Sequence, residues 1–191
     1  MFLLFWIKRA LSKKLKADPL RMQHVKNMMK VALRLASING VDQKKTKIAC
    51  LLHDLLKLED PTKLKELIIS QFPSIDTEAF PEVTWHALGA KVYAEVVLGV
   101  SDQDILNAIM YHTTGRPGMS KLEKIVALAD YIEEGRTFVG EEIRKLADED
   151  LDKALYLSMI EITDYLANNN LPISSLTKRA LEEYQQLYGG N

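Results

Sequence analysis

Six residues in this chain carry side chains able to hold a metal ion and stand where an amphipathic helix keeps apolar ones: His24, His53, Asp54, His86, His112 and Asp130. The stretch LLHDLLK, residues 51–57, poses the problem most sharply, because it sets a histidine and an aspartate side by side in an otherwise apolar run. Aspartate is almost never buried without a partner, and an ionised carboxylate in an apolar interior is costly unless it is paired or coordinates a metal. His112 closes the stripe of Ile105, Ala108 and Ile109, and Asp130 lies inside IVALADYIEE. His86 stands three residues before Gly89, whose size lets another backbone come near, and His24 begins the edge Met28, Val31, Leu35. A lone inward histidine is more often a hydrogen-bonded core residue than a ligand. All four of the chain's histidines in such places, with two inward aspartates, point to a metal centre instead. Imidazole with carboxylate suits iron, manganese, cobalt or zinc. The single cysteine, Cys50, excludes an all-thiolate site. Neighbours on a helix point about 100° apart, so His53 and Asp54 either straddle one ion or let the carboxylate bridge two.

The elements that must position these groups read as helices joined by short loops, an all-α fold of one domain. Val25, Met28, Met29, Ala32, Leu35 and Ala36 predict a helix that Gly40 stops. Asp42 caps the next, expected to run through Ile48, Leu52, Leu55 and Leu56. DPTKLKELIIS predicts a short capped helix, and Thr84 is the expected cap of one carrying His86, Gly89, Ala90, Tyr93 and Val97 on one side. SDQD at 101 and SKLE at 120 both match the Ser-x-x-acid capping box. Leu151, Ala154, Leu155, Ser158, Met159, Ile162 and Leu166 stripe a long helix; Ala180, Leu181, Tyr184 and Leu187 stripe the last. RTFVGEE and NNNLPISS are the expected irregular segments.

Composition narrows the function. With a net charge of −1 and a pI of about 6.4, the totals give no sign of a nucleic-acid binder. The head MFLLFWIKRALSKKL places seven apolar residues before its basic run. That order is wrong for a secretory signal, and the run is too short for a bilayer, which needs about 20 apolar residues. One cysteine fits a reducing, cytoplasmic setting. Leu4, Ile7, Leu11 and Leu15 recur at helical spacing and predict an amphipathic first helix. Its apolar face is expected on the core, with a membrane surface or a homodimer interface as the other uses.

The order His24, His53-Asp54, Asp130 resembles the HD-domain superfamily of helical metal-dependent phosphohydrolases. AIMYHTTGRPGMSKLEKIVALADYIEEGRTFVG, residues 108–140, together with LRMQHV, ACLLHDLLK and VTWHALGA, is similar to its YqeK branch, the symmetrical bis(5′-nucleosyl)-tetraphosphatases. The likeness runs over roughly residues 20 to 180 and departs at the apolar head and at Glu134, where that branch usually has proline. It implies an HD-type catalytic domain over 20–191 preceded by the helix of 1–19. It also implies one ion on His24, His53, Asp54 and Asp130, with Asp54 bridging to a second ion on His86 and His112. The branch generally uses iron; nothing in the sequence separates iron from manganese or cobalt.

Other polar residues are candidates for substrate. Lys57, one turn from His53 and Asp54, can reach a phosphate beside the metal and, as in HD-family lysines at this place, stabilise transition-state charge. HTTGRPGMS, including Thr113, offers backbone and hydroxyl donors ahead of a helix start that suits an anion. The Arg136 guanidinium can fork onto phosphate oxygens; Arg21 and Arg116 are further candidates. By the resemblance, LPISSLT, with Pro172, Ile173 and Thr177, closes over the base. The expected activity is cleavage of diadenosine tetraphosphate into two ADP with a metal-activated water. A nucleotidase or cyclic-nucleotide phosphodiesterase on the same scaffold, or a nucleotide-sensing adaptor, are the alternatives.

Overall fold

Short polar caps divide the chain into helices. In the computed structural model, which describes residues 2–188, these are α1 (Phe2–Lys14), α2 (Pro19–Asn39), α3 (Gln43–Leu52), α4 (Pro61–Gln71), α5 (Trp85–Val92), α6 (Gln103–Tyr111), α7 (Lys121–Ile132), α8 (Glu141–Glu149), α9 (Leu151–Asn168) and α10 (Ser175–Tyr188). No strand occurs among the described residues, and no helix there is long and apolar enough to cross a membrane. Asp18, Asp42, Asp60, Asp102 and Asp150 each accept backbone N–H groups at a helix start, satisfying donors that have no partner within the helix. Ser120 and Glu123 form the full capping box of α7. Gly40 ends α2 at φ 68°, a left-handed conformation that costs glycine little.

Several local expectations shift. The cap of α6 is Asp102, not Ser101, because its carboxylate takes the N–H groups of Asp104 and Ile105. Thr84 caps nothing; its hydroxyl donates to Pro81 O. Val97 falls in a π-turn after α5 and Leu187 on the outer face of α10, and both are exposed. Gly89 faces the side chains of Leu64 and Leu56, not a backbone. Glu141 and Glu142 belong to α8, a helix whose two buried side chains, Ile143 and Ala147, make too short an apolar stripe to stand out from its charged sequence.

Helix α7 lies at the centre and packs against α2, α3, α6, α8 and α9. Its buried residues Leu122, Ile125, Val126, Leu128, Ala129 and Ile132 join the stripes of α2, α3 and α6 in one apolar core. A smaller cluster of Ile68, Trp85 and Leu88 ties α4 to α5. α1 rests on α3, with Ile7, Leu11 and, just past its end, Leu15 inside the main core. Ile7 is fully buried, so Ile7→Ala should lower unfolding free energy by about 2–5 kcal/mol in urea titration. A variant as stable as the parent would detach α1 from the core.

Candidate metal centre

The centre is built where helices stop. α3 ends at Leu52, and the chain continues in tight turns, with Leu55 N–H donating to Leu52 O and Lys57 N–H to Asp54 O. This differs from the expected continuous helix through Leu56. In such turns side chains three apart eclipse, which sets Asp54 and Lys57 on one side. His53 and His112 occupy the C-terminal caps of α3 and α6, while His24, His86 and Asp130 project from inside α2, α5 and α7.

All six expected ligands meet. Asp54 sits between two sets of imidazoles. Its Oδ2 is 3.6 Å from His53 Nε2 and 3.9 Å from His24 Nε2; its Oδ1 is 3.2 Å from His86 Nε2 and 3.8 Å from His112 Nε2. Asp130 Oδ1 lies 3.0 Å from His24 Nε2. Ligand atoms of His24, His53 and Asp130, and again of His53, Asp54 and His112, lie within 4.8 Å of one another. The four rings form a row, with His24–His53, His53–His112 and His112–His86 centroids 5.5, 4.9 and 5.4 Å apart.

Each ring is also oriented from behind. The Nδ1 atoms of His53, His86 and His112 lie 2.8, 3.1 and 2.7 Å from the carbonyls of Cys50, Val83 and Ile109, each three residues upstream. His24 Nδ1 is 3.3 Å from Glu133 Oε1. These acceptors assign the proton to Nδ1 and leave a lone pair on Nε2, the arrangement of metal-ligating histidines. The buried Nε2 atoms of His24, His53 and His112 have no aligned hydrogen bond. Three orphaned lone pairs directed at two carboxylates fit a divalent cation.

The electrostatics agree for His53 and His86 and, without a bound cation, run the other way for His24. Burial pushes the His53 imidazole down to about 4 and lowers His86 as well, favouring the neutral, ligating form. Burial also acts to lower His24, but the carboxylates of Asp130 and Glu133 outweigh it and raise its pKa. Burial opposes ionisation of Asp54, yet the imidazoles of His53, His112 and His86 hold its carboxyl well below the ordinary range. Arg21 reinforces this, with Nη1 2.8 Å from Asp54 Oδ2.

The substrate candidates divide. Lys57 Nζ lies 3.2 Å from His86 Nε2, beside the centre. Arg136 grips Asp130 through Nε to its backbone oxygen at 3.2 Å and Nη2 to Oδ1 at 3.0 Å. Thr113 lines the adjoining cleft with His112, Asp130 and Arg136, and its Oγ1 is buried without a partner. Thr177 instead donates to Thr114 O at 2.7 Å, tying α10 to the loop. Pro172 is exposed and Ile173 half-buried on the segment before α10; neither lines that cleft. Arg116 is engaged by both oxygens of buried Glu123 at 2.7 Å, and so is a strut of the loop. The sequence reading overlooked Glu133, a buried carboxylate three residues after Asp130 and therefore on its helical face. That spacing was its one available sign.

A buried imidazole–carboxylate cluster at the core of an all-α fold is the donor set of a metal-binding helical protein. A family model described as "HD domain" matches residues 21–135. A Bacillus subtilis protein named "bis(5′-nucleosyl)-tetraphosphatase, symmetrical" is 41% identical, the match covering 78% of this chain and 81% of that one. A protein of the same name from Halalkalibacterium halodurans is 39% identical over 87% of this chain and 88% of its own. The crystal structure of a "predicted HD superfamily hydrolase involved in NAD metabolism" from Clostridium acetobutylicum superposes with a TM-score of 0.89 at 36% identity, covering 96% of this chain and 97% of that one. The chain belongs to the HD-domain family and groups within it with the symmetrical bis(5′-nucleosyl)-tetraphosphatases.

His53 gives the centre a pH signature in protein without added metal. The unfolded histidine takes up a proton near its ordinary value of 6.5, and the folded one only near 4. The unfolded state therefore binds more protons in that window, and stability should fall as pH drops from about 6.5 toward about 4. His24 runs oppositely: its contribution is present below its unfolded value and is lost as pH rises through its raised folded value. Urea unfolding across this range should show a shallower acid slope in His53→Gln; equal slopes would mean that His53 is not held neutral.

Proposed function

We propose that the protein cleaves diadenosine tetraphosphate symmetrically into two ADP. The observation that carries the reading is the convergence of the four Nδ1-anchored imidazoles on Asp54 and Asp130, in a chain whose relatives bear that activity in their names. His24, His53, Asp54 and Asp130 would hold a divalent ion. When bound, such an ion lowers the pKa of a water and draws charge from a phosphoryl oxygen.

The chain's own groups do the rest. Arg21 keeps Asp54 ionised, and Arg136 does the same for Asp130 while its Nη1 remains available to a phosphate oxygen. Lys57, whose ammonium burial makes easier to deprotonate, offers its charge next to His86. Thr113 Oγ1 supplies a hydroxyl on the cleft side. The oxygen of water forms the new bond to phosphorus as the central bridging P–O bond breaks, and the proton that water gives up passes to solvent. The bridging electron pair leaves with the second ADP.

Asp54 presents Oδ2 to His24 and His53 and Oδ1 to His86 and His112, a division that supports two ions, with iron, manganese or cobalt suited to the donors. A second reading follows from Lys57. An ammonium 3.2 Å from His86 Nε2 disfavours a cation there and favours phosphate, leaving one ion. We assign residues 20–191 to the catalytic unit, with 1–19 as a helical head on it.

Metal analysis of the purified protein with a product assay tests these points together. ADP as sole product from diadenosine tetraphosphate is expected, with about two ions per chain on the first reading and about one on the second. ATP plus AMP, or a preference for cyclic nucleotides, would overturn the symmetrical assignment; trace metal after reconstitution would overturn the centre.

Lys57→Ala separates chemistry from coordination: it should retain bound metal and the parent melting temperature yet lose roughly 10²–10³ in kcat, the usual cost of one donor to developing charge. Arg136→Ala, which also releases the Asp130 carboxylate, should lose turnover and weaken metal binding together. Full turnover in both would return them to ordinary surface charges.

A further inference from the structure

A cleft of about 730 Å³ opens directly from the metal centre. His112, Asp130 and Arg136 stand at its inner end. Tyr131, Phe138, Glu161 and Tyr165 line the remainder, between α7, the loop ahead of α8, and α9. Phe138 and Tyr165 are 68% and 63% exposed, so two large rings face the cleft and solvent without burial in the core. Phe138 is steadied from one edge by Tyr131, its ring centroid 5.9 Å away at an interplanar angle of 64°. The Tyr131 hydroxyl donates to Glu161 Oε2 at 2.5 Å, which fixes that carboxylate and leaves Oε1 as an acceptor.

The cleft is thus cationic at one end, where Arg136 and any bound metal lie, and anionic at the other, where Glu161 lies. A phosphate is attracted to the first and repelled by the second. The ligand that fits is anionic at one end and, at the other, flat, uncharged and rich in N–H donors. A nucleotide with its phosphates inward and its base outward has that form. Aromatic side chains are sequence-tolerant stacking platforms for bases. The volume falls within the usual range for a small-molecule site.

Resting on the proposed activity, we propose that Phe138 and Tyr165 stack one of the two nucleobases of the dinucleotide, and that Glu161 accepts a hydrogen bond from the amino group of that base. The site therefore reads a base beyond the phosphate chain and prefers dinucleotides over mononucleotides with the same number of phosphates.

The test compares two ligands by calorimetry: diadenosine tetraphosphate with a methylene in place of its central bridging oxygen, and adenosine 5′-tetraphosphate, which lacks one base. The parent protein should bind the dinucleotide roughly five- to a hundredfold more tightly, the worth of one stacked base. Phe138→Ala with Tyr165→Ala should bring that ratio near one, and Phe138→Trp with Tyr165→Phe should restore it. Because both side chains are exposed, melting curves should match the parent in each variant. A parental ratio near one, or an unchanged ratio in the double alanine variant, would overturn the inference. The ratio is a binding measurement, so it stands apart from turnover. Loss of the ratio in the double alanine variant, with a parent protein that fails to cut diadenosine tetraphosphate, would sink the activity and leave the base site intact. Normal cutting with an unmoved ratio would sink the base site alone.

Discussion

The desolvation of Asp54 is the constraint on which the rest of the structure depends. A carboxylate 4% exposed needs compensation from every side. The Arg21 guanidinium supplies part of it directly, and the four imidazoles turned to the same carboxylate would supply the rest through a shared cation. Meeting that demand dictates where helices stop: α3 and α6 terminate at His53 and His112, so that their capping residues face inward rather than toward solvent. It also explains why α7 is central, since Asp130 and Glu133 must reach His24 on α2 from one face of one helix.

The cations around the centre have layered roles. Arg21 and Arg136 approach the Asp54 and Asp130 carboxylates from outside, the first at 25% and the second at 33% side-chain exposure, so water screens part of their charge. Their value lies in orientation: Arg136 engages both the carboxylate and the main chain of Asp130. Lys57 differs in kind, because its ammonium contacts an imidazole and feels Asp54 only from a distance, without an ion pair of its own. An arriving phosphate provides one.

Much of this was readable beforehand. The all-α class and most helices followed from apolar spacing and polar caps, because those signals are local. The six side chains that converge at the centre were legible because inward histidines and aspartates contradict the pattern around them. Features set by tertiary contact were not. The unwinding after Leu52 leaves no mark in an apolar run whose spacing also suits a helix. α8 was lost because Ile143 and Ala147 are too few to make a period. Glu133 was hidden among Glu134 and Arg136, where sequence cannot tell a buried charge from a solvated one. Arg116 looked like a phosphate ligand until its partner Glu123, seven residues on, came into reach through the capping of α7.

The carbonyls behind His53, His86 and His112 have an evolutionary consequence. A partner supplied by the main chain is present whatever side chain occupies position 50, 83 or 109. The aim of three imidazoles is thereby insulated from substitution at those partners, and drift there is free to follow packing alone. His24 has no such protection, because its partner is the side chain of Glu133. A single codon change at 133 can unfasten it, which makes that position the centre's point of heritable fragility.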